Sequence, residues 1–438
     1  MNIRIYPTGK IKWYRRIQKA LFFLFSAITF NKYNKNIFKY EVEDKIQNTE
    51  VYLDYATLPT IAYFNHFIKR QSDKTTIRLF GLSRFIVSQE IINAYPKGVI
   101  RFASTKDNNQ KAFNELFEST IRENNKTKYN LTFHLNLSHW HGMLIPLLNI
   151  ILKYKNKIAD ISLNLYDDGA EGIVSLEKIK EKYNYSLLEE TINHDALQLS
   201  KLIKEKVIEI NDMLVARYLL GNIFKSHYHL IYDYSNDKAL SPLLKNIKTK
   251  NTFKKINKIS NTKLALDLFN IKDQSLQEIL HKSSYGNAFL FIGTTMFNLS
   301  NENEKYLTNL HTQAIDEYLN PQSKDYIGNN ILFIKGHPNS KKTNALLQAR
   351  YPQAIHLPEN IPVEILYNLG FTPKSVGGFF STSFLFTQKE KIKSIIFIRD
   401  EFNLSIQEEK FFQDQTTAHQ IMLRTQSIHE SQVRFLSL

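Results

Sequence analysis

Cysteine is absent from this chain of 438 residues, and glycine (14), proline (11), methionine (5) and tryptophan (2) are scarce. Disulfides, thiolate-held metals and a cysteine nucleophile are therefore excluded together, which fits a reducing compartment. Neither a GxGxxG turn nor a GxxxxGK[ST] loop occurs, so dinucleotide and P-loop phosphate chemistry find no support. Internal repeats and long low-complexity tracts are also missing. No apolar run approaches the ~20 residues that cross a bilayer as a helix.

What the chain does have is apolar bulk, 43% of residues with 13% aromatic, ample for packed interiors. Its length predicts two domains of roughly 150–200 residues rather than one core. Lys and Arg outnumber Asp and Glu by 57 to 42, a formal net charge of +15, and such a balance first suggests nucleic acid. Zinc-finger spacing, an aromatic RNA-recognition signature and basic heptads are all lacking, so nucleic acid is not expected as a partner. Basic residues concentrate only at the start. Arg4, Lys10, Lys12, Arg15, Arg16 and Lys19 precede "ALFFLFSAITF" (20–30), and Lys32, Lys35 and Lys39 follow it. Too short to span and without a small-x-small cleavage site, the leader 1–49 reads as a segment whose residues 1–45 lie on an anionic membrane surface. The alternative is a first helix packed on the protein itself.

From Glu50 onward short apolar runs alternate with helical patterns. "EVYLDYA" (50–56), "TIRLFG" (76–81), "GVIRFAS" (98–104), "YNLTFHLNLS" (129–138) and "ADISLNLY" (159–166) read as strands. Between the third and fourth, Ala112, Phe113, Leu116, Phe117 and Ile121 mark one face of an amphipathic helix. Residues 175–224 are charged and helical, a connector. Alternation then resumes with "YHLIYDY" (228–234), "AFLFIGTT" (288–295), "NILFIKG" (330–336), "QAIHL" (353–357) and "KSIIFIRD" (393–400). Strand–helix alternation in two successive halves predicts an α/β chain of two Rossmann-like domains with a ligand cleft between them.

The chemistry-bearing strings lie where these strands end. "LNLYDDGAEG" (163–172) closes a strand on two adjacent carboxylates, a pattern that is a hairpin turn in one reading and a catalytic carboxylate at the mouth of a parallel sheet in the other. "STKDNNQ" (104–110), "HLNLSHWH" (134–141), "IKGHPNS" (334–340) and "VGGFFSTSF" (376–384) take similar positions. Each alone is a weak signal, since Gly-His-Pro is usually a plain turn.

Taken in order, "YLDYATLP", "FGLSRF", "KDN", "HLNLSH", "LNLYDDG", "GTT", "KGHP", "VGG..ST" and the terminal "ESQV" match one family from about Glu50 to the C-terminus. The chain resembles the bacterial sialyltransferases of glycosyltransferase family 80, and that resemblance decides the "YDDG" ambiguity for the catalytic reading. It implies a GT-B fold, with two Rossmann-like domains facing a central cleft and a C-terminal helix returning to the first domain. The expected boundaries are 50–212 plus a helix over about 412–438 for the acceptor side, and 213–411 for the CMP-sugar-binding domain. It further implies an inverting transfer from CMP-sialic acid to a galactose-type hydroxyl of a surface glycan such as lipooligosaccharide, without metal or other cofactor, in the bacterial cytoplasm at the inner-membrane face. By position, Asp168 matches the general base and His337 the general acid that also contacts the donor phosphate. Ser381 and Thr382 fall on the phosphate-binding hydroxyl pair, Glu364 on the ribose carboxylate, and Lys335 and Gly336 where cytosine is read. Arg84, Asn108 and His139 match residues on the acceptor and sialyl side.

These roles agree with the reaction. Inversion needs one carboxylate to take the acceptor proton, while the departing monophosphate is met by an imidazole, hydroxyls and helix N-terminal N–H groups. Three positions depart from the family: Phe297 stands where Trp is usual, Glu171 where better-known members carry Met or Ala, and Asn339 where some carry Arg. All three are expected near the acceptor, so acceptor and linkage stay open. Glu171 either raises the pKa of Asp168 by like-charge repulsion or binds an amino sugar or a different hydroxyl. Two further readings stay open: transfer of another CMP-activated nonulosonic acid, and a non-catalytic glycan- or nucleotide-binding protein on the same scaffold.

Overall fold

The structure is a computed structural model that describes residues 45–53, 57–83, 85, 87–105, 110–123, 127–137, 140–167, 225–231, 248–251, 266, 275–284, 286–295, 301–359, 361–399, 406–424 and 426–437. The chain divides into two compact units, the first holding 1–167, 175–229 and 242–250, the second 168–174, 230–241 and 251–438. The leader expected over 1–49 ends earlier than its sequence suggested, because Lys45–Leu53 already forms the first strand. Residues 1–44 and the connector 175–224 lie outside the described residues. Among the described residues no helix is long and apolar enough to cross a membrane.

The first unit alternates β1 (Lys45–Leu53), α1 (Thr57–Lys69), β2 (Ile77–Leu82), α2 (Gln89–Asn93), β3 (Ile100–Ser104), α3 (Lys111–Arg122), β4 (Thr127–Asn136), α4 (Trp140–Lys153), β5 (Ile158–Tyr166), β6 (Lys225–Leu230) and β7 (Lys248–Asn251). Its seven strands run in the order β3-β2-β1-β4-β5-β6-β7, with parallel registers from β3 across to β6. Strands covered on both faces must be apolar almost continuously, and β1 and β2 are buried over Glu50–Leu53 and Arg78–Leu82. Helix α3 buries Phe113, Phe117 and Ile121, spaced one turn apart as its pattern predicts, each contributing about 1.5–3 kcal/mol. Gly81 lets α3 approach, since a Cβ there would stand 2.6 Å from Leu53 Cδ2 and 2.7 Å from the Phe113 ring.

Strand β6 corrects the expected boundary at 212/213: it pairs with β5, Ser162 opposite Lys225 through Tyr166 opposite His229, and so extends the first sheet. An apolar run tells that a strand exists, but only its pairing tells which sheet it joins.

The second unit runs α5 (Ser275–Ser284), β8 (Ala288–Ile292), α6 (Asn301–Leu319), β9 (Ile331–Lys335), α7 (Lys341–Arg350), β10 (Ile355–His356), α8 (Val363–Asn368), β11 (Ser375–Phe379), β12 (Ile392–Arg399), α9 (Ile406–Arg424) and β13 (Val433–Ser437). Its strand order is β10-β9-β8-β11-β12-β13, parallel throughout. Phe289, Phe291, Leu307, Ile315, Tyr318, Leu347 and Phe379 form its core. Strand order reverses between β8 and β11, and the crevice at such a reversal, beyond the carboxyl ends of the strands, is where α/β sheets bind ligands.

The C-terminal expectation also needs correction. The helix is confined to Ile406–Arg424 and belongs to the second unit, where Gln415 Oε1 accepts the Ile398 N–H of β12 at 3.2 Å. Residues 433–437 are a strand on the edge of the second sheet, paired with β12. The "ESQV" string explains the turn between them. Gln432 Nε2 donates to the carbonyls of Lys389 at 2.9 Å and Ile392 at 2.6 Å, pinning the chain to the start of β12 so that the next residues fall into register.

Strand β11, "SVGGF", was not expected from its pattern. Its glycines are required by close approach: a Cβ on Gly377 would lie 2.6 Å from the Tyr318 hydroxyl, and Gly378 has φ +124° with Ile292 O only 2.3 Å from its virtual Cβ. Gly378→Ala therefore meets backbone that cannot yield. We expect a loss on the order of 3 kcal/mol, read as a lower guanidinium midpoint of the second unit, whereas Gly370→Ala, also at positive φ but with open space around it, loses less.

Candidate active site

The carboxyl ends of β9, β10 and β11 and the segments that follow them carry the sequence-predicted donor residues. Strand β9 delivers Lys335, and its buried ammonium donates to the carbonyls of Gly336 at 3.2 Å and Glu359 at 3.0 Å. Burial pushes its pKa down to about 8, against the opposing pull of Glu364 and Glu359. Gly336 has no room for a side chain, because a Cβ would lie 2.1 Å from Asn344 Oδ1. Asn344, on α7, donates through Nδ2 to the His337 carbonyl at 2.8 Å and to Glu359 Oε1 at 2.7 Å.

His337 follows directly. Its Nδ1 accepts the Asn339 N–H at 3.2 Å, so a neutral ring carries its proton on Nε2, the nitrogen that can donate outward. Helix α7 begins four residues on, with Ser340 as its N-cap, and its positive end together with Lys341 and Lys342 favours an anion beside His337. Behind the loop stands His311, fully buried, donating from Nδ1 to Leu307 O at 2.7 Å and accepting the Thr294 N–H at Nε2, 3.1 Å away. Burial, with the neighbouring His337 as a lesser cause, lowers its pKa to about 4, so this imidazole is a neutral prop for the "GTT" loop.

Glu364 opens α8 and is buried; burial raises its pKa, offset by a hydrogen bond from Ser383 and by the charge of Lys335. Ser383 Oγ donates to Glu364 Oε1 at 2.6 Å, and Ser381 Oγ donates to Ser383 Oγ at 3.2 Å. Ser381 is the N-cap of the short 3-10 turn Thr382–Phe386, which places Thr382 at its first position. Lys335, Gly336, Glu364 and Ser381 are thus joined through one hydrogen-bonded and electrostatic network. Sequence reasoning missed Asn344, Glu359, Ser383 and His311. Their only signal was a polar residue near a motif, which does not distinguish a bridge from solvated surface.

The acceptor-side expectations Arg84, Asn108, His139, Glu171 and Phe297, and the proposed base Asp168, lie outside the described residues. Asp167, the first carboxylate of "YDDG", is described: it is fully buried and donates its N–H to His229 O at 3.0 Å. Deeper in that unit, ligand-capable atoms of Glu50, His66 and His134 lie within 4.8 Å of one another. The Glu50 carboxylate, however, is already engaged by Arg78 at 3.0 Å, by Tyr52 at 2.8 Å and by Arg70. With two guanidinium groups on its one anionic ligand, this cluster is a buried ion-pair network that repels a further cation.

A family model described as "Sialyltransferase PMO188" matches residues 49–429. The chain belongs to this sialyltransferase family. Among solved structures, the chain is similar to the GT-B domain (residues 113–497) of the Photobacterium damselae sialyltransferase, at TM-score 0.72 and 23% identity, covering 90% of this chain and 100% of that one. It is also similar to the 2,6-sialyltransferase of Photobacterium sp. JT-ISH-224 in a complex with CMP and lactose, at 0.69 and 24%, covering 89% and 78%. A third is the α/β-galactoside α-2,3-sialyltransferase of Photobacterium phosphoreum, at 0.66 and 20%, covering 89% and 98%. None of the curated protein sequences compared with the chain matches it. The similar structures carry the GT-B fold and the family match carries the enzyme class, as the motif resemblance implied.

Lys335 gives the site a pH signature. Its folded pKa of about 8 lies below the ordinary lysine value, so between the two the native state binds fewer protons than the unfolded chain, and native stability rises with pH across that window. Relative to Lys335→Met, the wild type should gain on the order of 3 kcal/mol between pH 8 and 10.5, measured as the difference in denaturant midpoints at the two pH values.

Proposed function

We propose that this sialyltransferase moves sialic acid, with inversion, from CMP-sialic acid to a galactose-type hydroxyl of a surface glycan such as lipooligosaccharide, with Asp168 as general base and His337 as general acid. The observation that carries the reading is the set of donor-type groups gathered at the reversal point of the second sheet. Lys335 and His337 follow β9, and Glu364 is tied through Ser383 to Ser381. A cytidine monophosphate offers a base edge, a ribose diol and a phosphate dianion, and these groups answer each in turn.

The steps follow from the chemistry of the groups. Asp168 takes the proton of the acceptor hydroxyl as its oxygen attacks the anomeric carbon from the face opposite the nucleotide. The C–O bond to CMP breaks, and the negative charge arriving on the phosphate is met by the Nε2 proton of His337, by Ser381 and Thr382, and by the N-terminus of α7. Glu364, holding one oxygen to Ser383, offers the other to the ribose hydroxyls. The complex of the similar Photobacterium 2,6-enzyme contains CMP and lactose, which suits both as probes here. Arg84, Asn108, His139, Glu171 and Phe297 are assigned to the acceptor side, so the linkage is set by them rather than by the donor half. The basic leader, residues 1–44, holds the enzyme at the anionic cytoplasmic face of the inner membrane, near lipid-linked acceptors.

Mixing the protein with CMP-sialic acid and lactose should release CMP above the hydrolysis background, and Asp168→Asn or His337→Ala should each lower the rate by about 10²–10⁴. Absence of release from the wild type would favour a non-catalytic binder, and faster turnover of a different CMP-nonulosonic acid would reassign the donor. Deleting residues 1–44 should leave lactose turnover intact while abolishing sedimentation with anionic vesicles; unchanged sedimentation would remove the leader from the membrane reading.

A further inference from the structure

Ser383 is fully buried beside the donor residues, and every polar contact described for it stays within the loop network. Its hydroxyl has one proton, and the 2.6 Å contact to Glu364 Oε1 uses it. Its lone pairs then face Ser381, whose Oγ donates to it at 3.2 Å while accepting the Ser383 N–H at 3.4 Å. The Ser383 carbonyl accepts from Thr387 Oγ1 at 3.2 Å. A buried serine with both sides of its hydroxyl committed to groups of the candidate site is more than filler, because alanine would fill the same space.

We infer that Ser383 is a positioning residue that couples the ribose arm of the nucleotide site, Glu364, to its phosphate arm, Ser381. The inference rests on the CMP reading above and adds a residue that reading does not use. The direction of each proton defines what the coupling does. By donating to one carboxylate oxygen, Ser383 fixes the rotation of Glu364 and leaves the second oxygen for a sugar hydroxyl. By accepting from Ser381, it keeps that hydroxyl pointing along the network until a phosphate oxygen, a stronger acceptor, draws its proton away at the cost of a long and weak bond.

Removing the Ser383 hydroxyl acts on Glu364 in a known sense. Three influences hold this buried carboxyl down against desolvation: the Ser383 bond, the hydrogen bond from its own main-chain N–H and the Lys335 ammonium from β9. Glu359 faces Lys335 from the other side, and Tyr367, one turn along α8, is a buried phenol whose pKa Glu364 helps to raise. With Ser383 gone, the main-chain N–H and Lys335 are left to favour the ionised form, so the carboxyl takes up its proton at higher pH and loses the capacity to accept from two ribose hydroxyls sooner as pH falls.

The test is calorimetric titration of the full-length protein with CMP from pH 5 to 8. Ser383→Ala should bind CMP about tenfold more weakly near neutrality, and the acidic limb of its affinity should move upward by about 0.5–1 pH unit. Ser383→Thr, which keeps the hydroxyl, should restore affinity and limb together. Glu364→Gln should keep only the part of the limb that the titrating CMP phosphate contributes, and adding Ser383→Ala to it should move nothing further with pH. A Ser383→Ala protein with wild-type affinity and an unmoved limb overturns the coupling, as does a Ser383→Thr protein as weak as Ser383→Ala. A wild type that does not bind CMP at all overturns the donor assignment and the coupling with it.

Discussion

The donor half of this enzyme depends on one amide side chain pressed against a backbone with no side chain of its own. Asn344 Oδ1 lies where a Cβ of Gly336 would be, 2.1 Å from it, and its Nδ2 bonds both the His337 carbonyl and the Glu359 carboxylate. Three loop positions are fixed by that contact. His337 is held by its main chain, leaving its ring to be oriented separately. The Glu359 loop is drawn in, so that its carbonyl can receive the Lys335 ammonium. Gly336 itself is forced to stay glycine, and its carbonyl takes the second Lys335 bond. An amide suits the place because its two N–H donors can serve two acceptors without bringing a charge that would disturb Lys335 or His337.

The two units stabilise their sheets by different means, which bears on where function can sit. In the first, a charged pair is buried: Glu50 and Arg78, at directly paired positions of β1 and β2, where Tyr52 donates to Glu50 and Asp73 pairs with Arg78. Breaking such a pair leaves a bare charge in a dry interior, which costs more than the pair ever contributes. In the second unit the interior is apolar around Phe289, Phe291 and Tyr318, and the polar network is pushed outward to the carboxyl ends of the strands. The buried polar groups there lie toward the carboxyl ends of the strands, the side on which α/β sheets bind ligands.

Much of this was legible in the sequence, and for a definite reason. "AFLFI", "ILFIK" and "KSIIFIR" are continuous apolar runs because central parallel strands are covered on both faces, and such runs are hard to mistake. Strand β11 was not legible, since two of its five residues are glycines chosen by contacts with Tyr318 and Ile292, elements distant in sequence. Strand β13 was not legible either: "VRFLS" is a short run broken by Arg434, and it takes its place beside β12 where Gln432 anchors the chain. At the candidate site, the motifs pointed to Lys335, Gly336, His337, Glu364 and Ser381, residue types that transfer from a CMP-sugar would use. Asn344 and Ser383 stayed hidden because their purpose is to hold those residues, and holding can be done by many polar side chains from many places in the chain.

That difference between groups that react and groups that hold bears on how a loop residue can change without disturbing the proposed acid. Asn339 is instructive, for it departs from the arginine that some relatives of this type carry and yet touches the proposed acid directly. It does so through its main-chain N–H, which donates to His337 Nδ1 at 3.2 Å, while the residue itself is exposed. The main-chain N–H on Nδ1 favours the tautomer with its proton on Nε2, and this contact asks nothing of the side chain at 339. A loop whose backbone holds the imidazole while residue 339 is exposed can change that side chain without disturbing the ring. The clamp at Gly336 and Asn344 is what makes this possible, because it fixes the backbone from behind and asks nothing of the side chains in front.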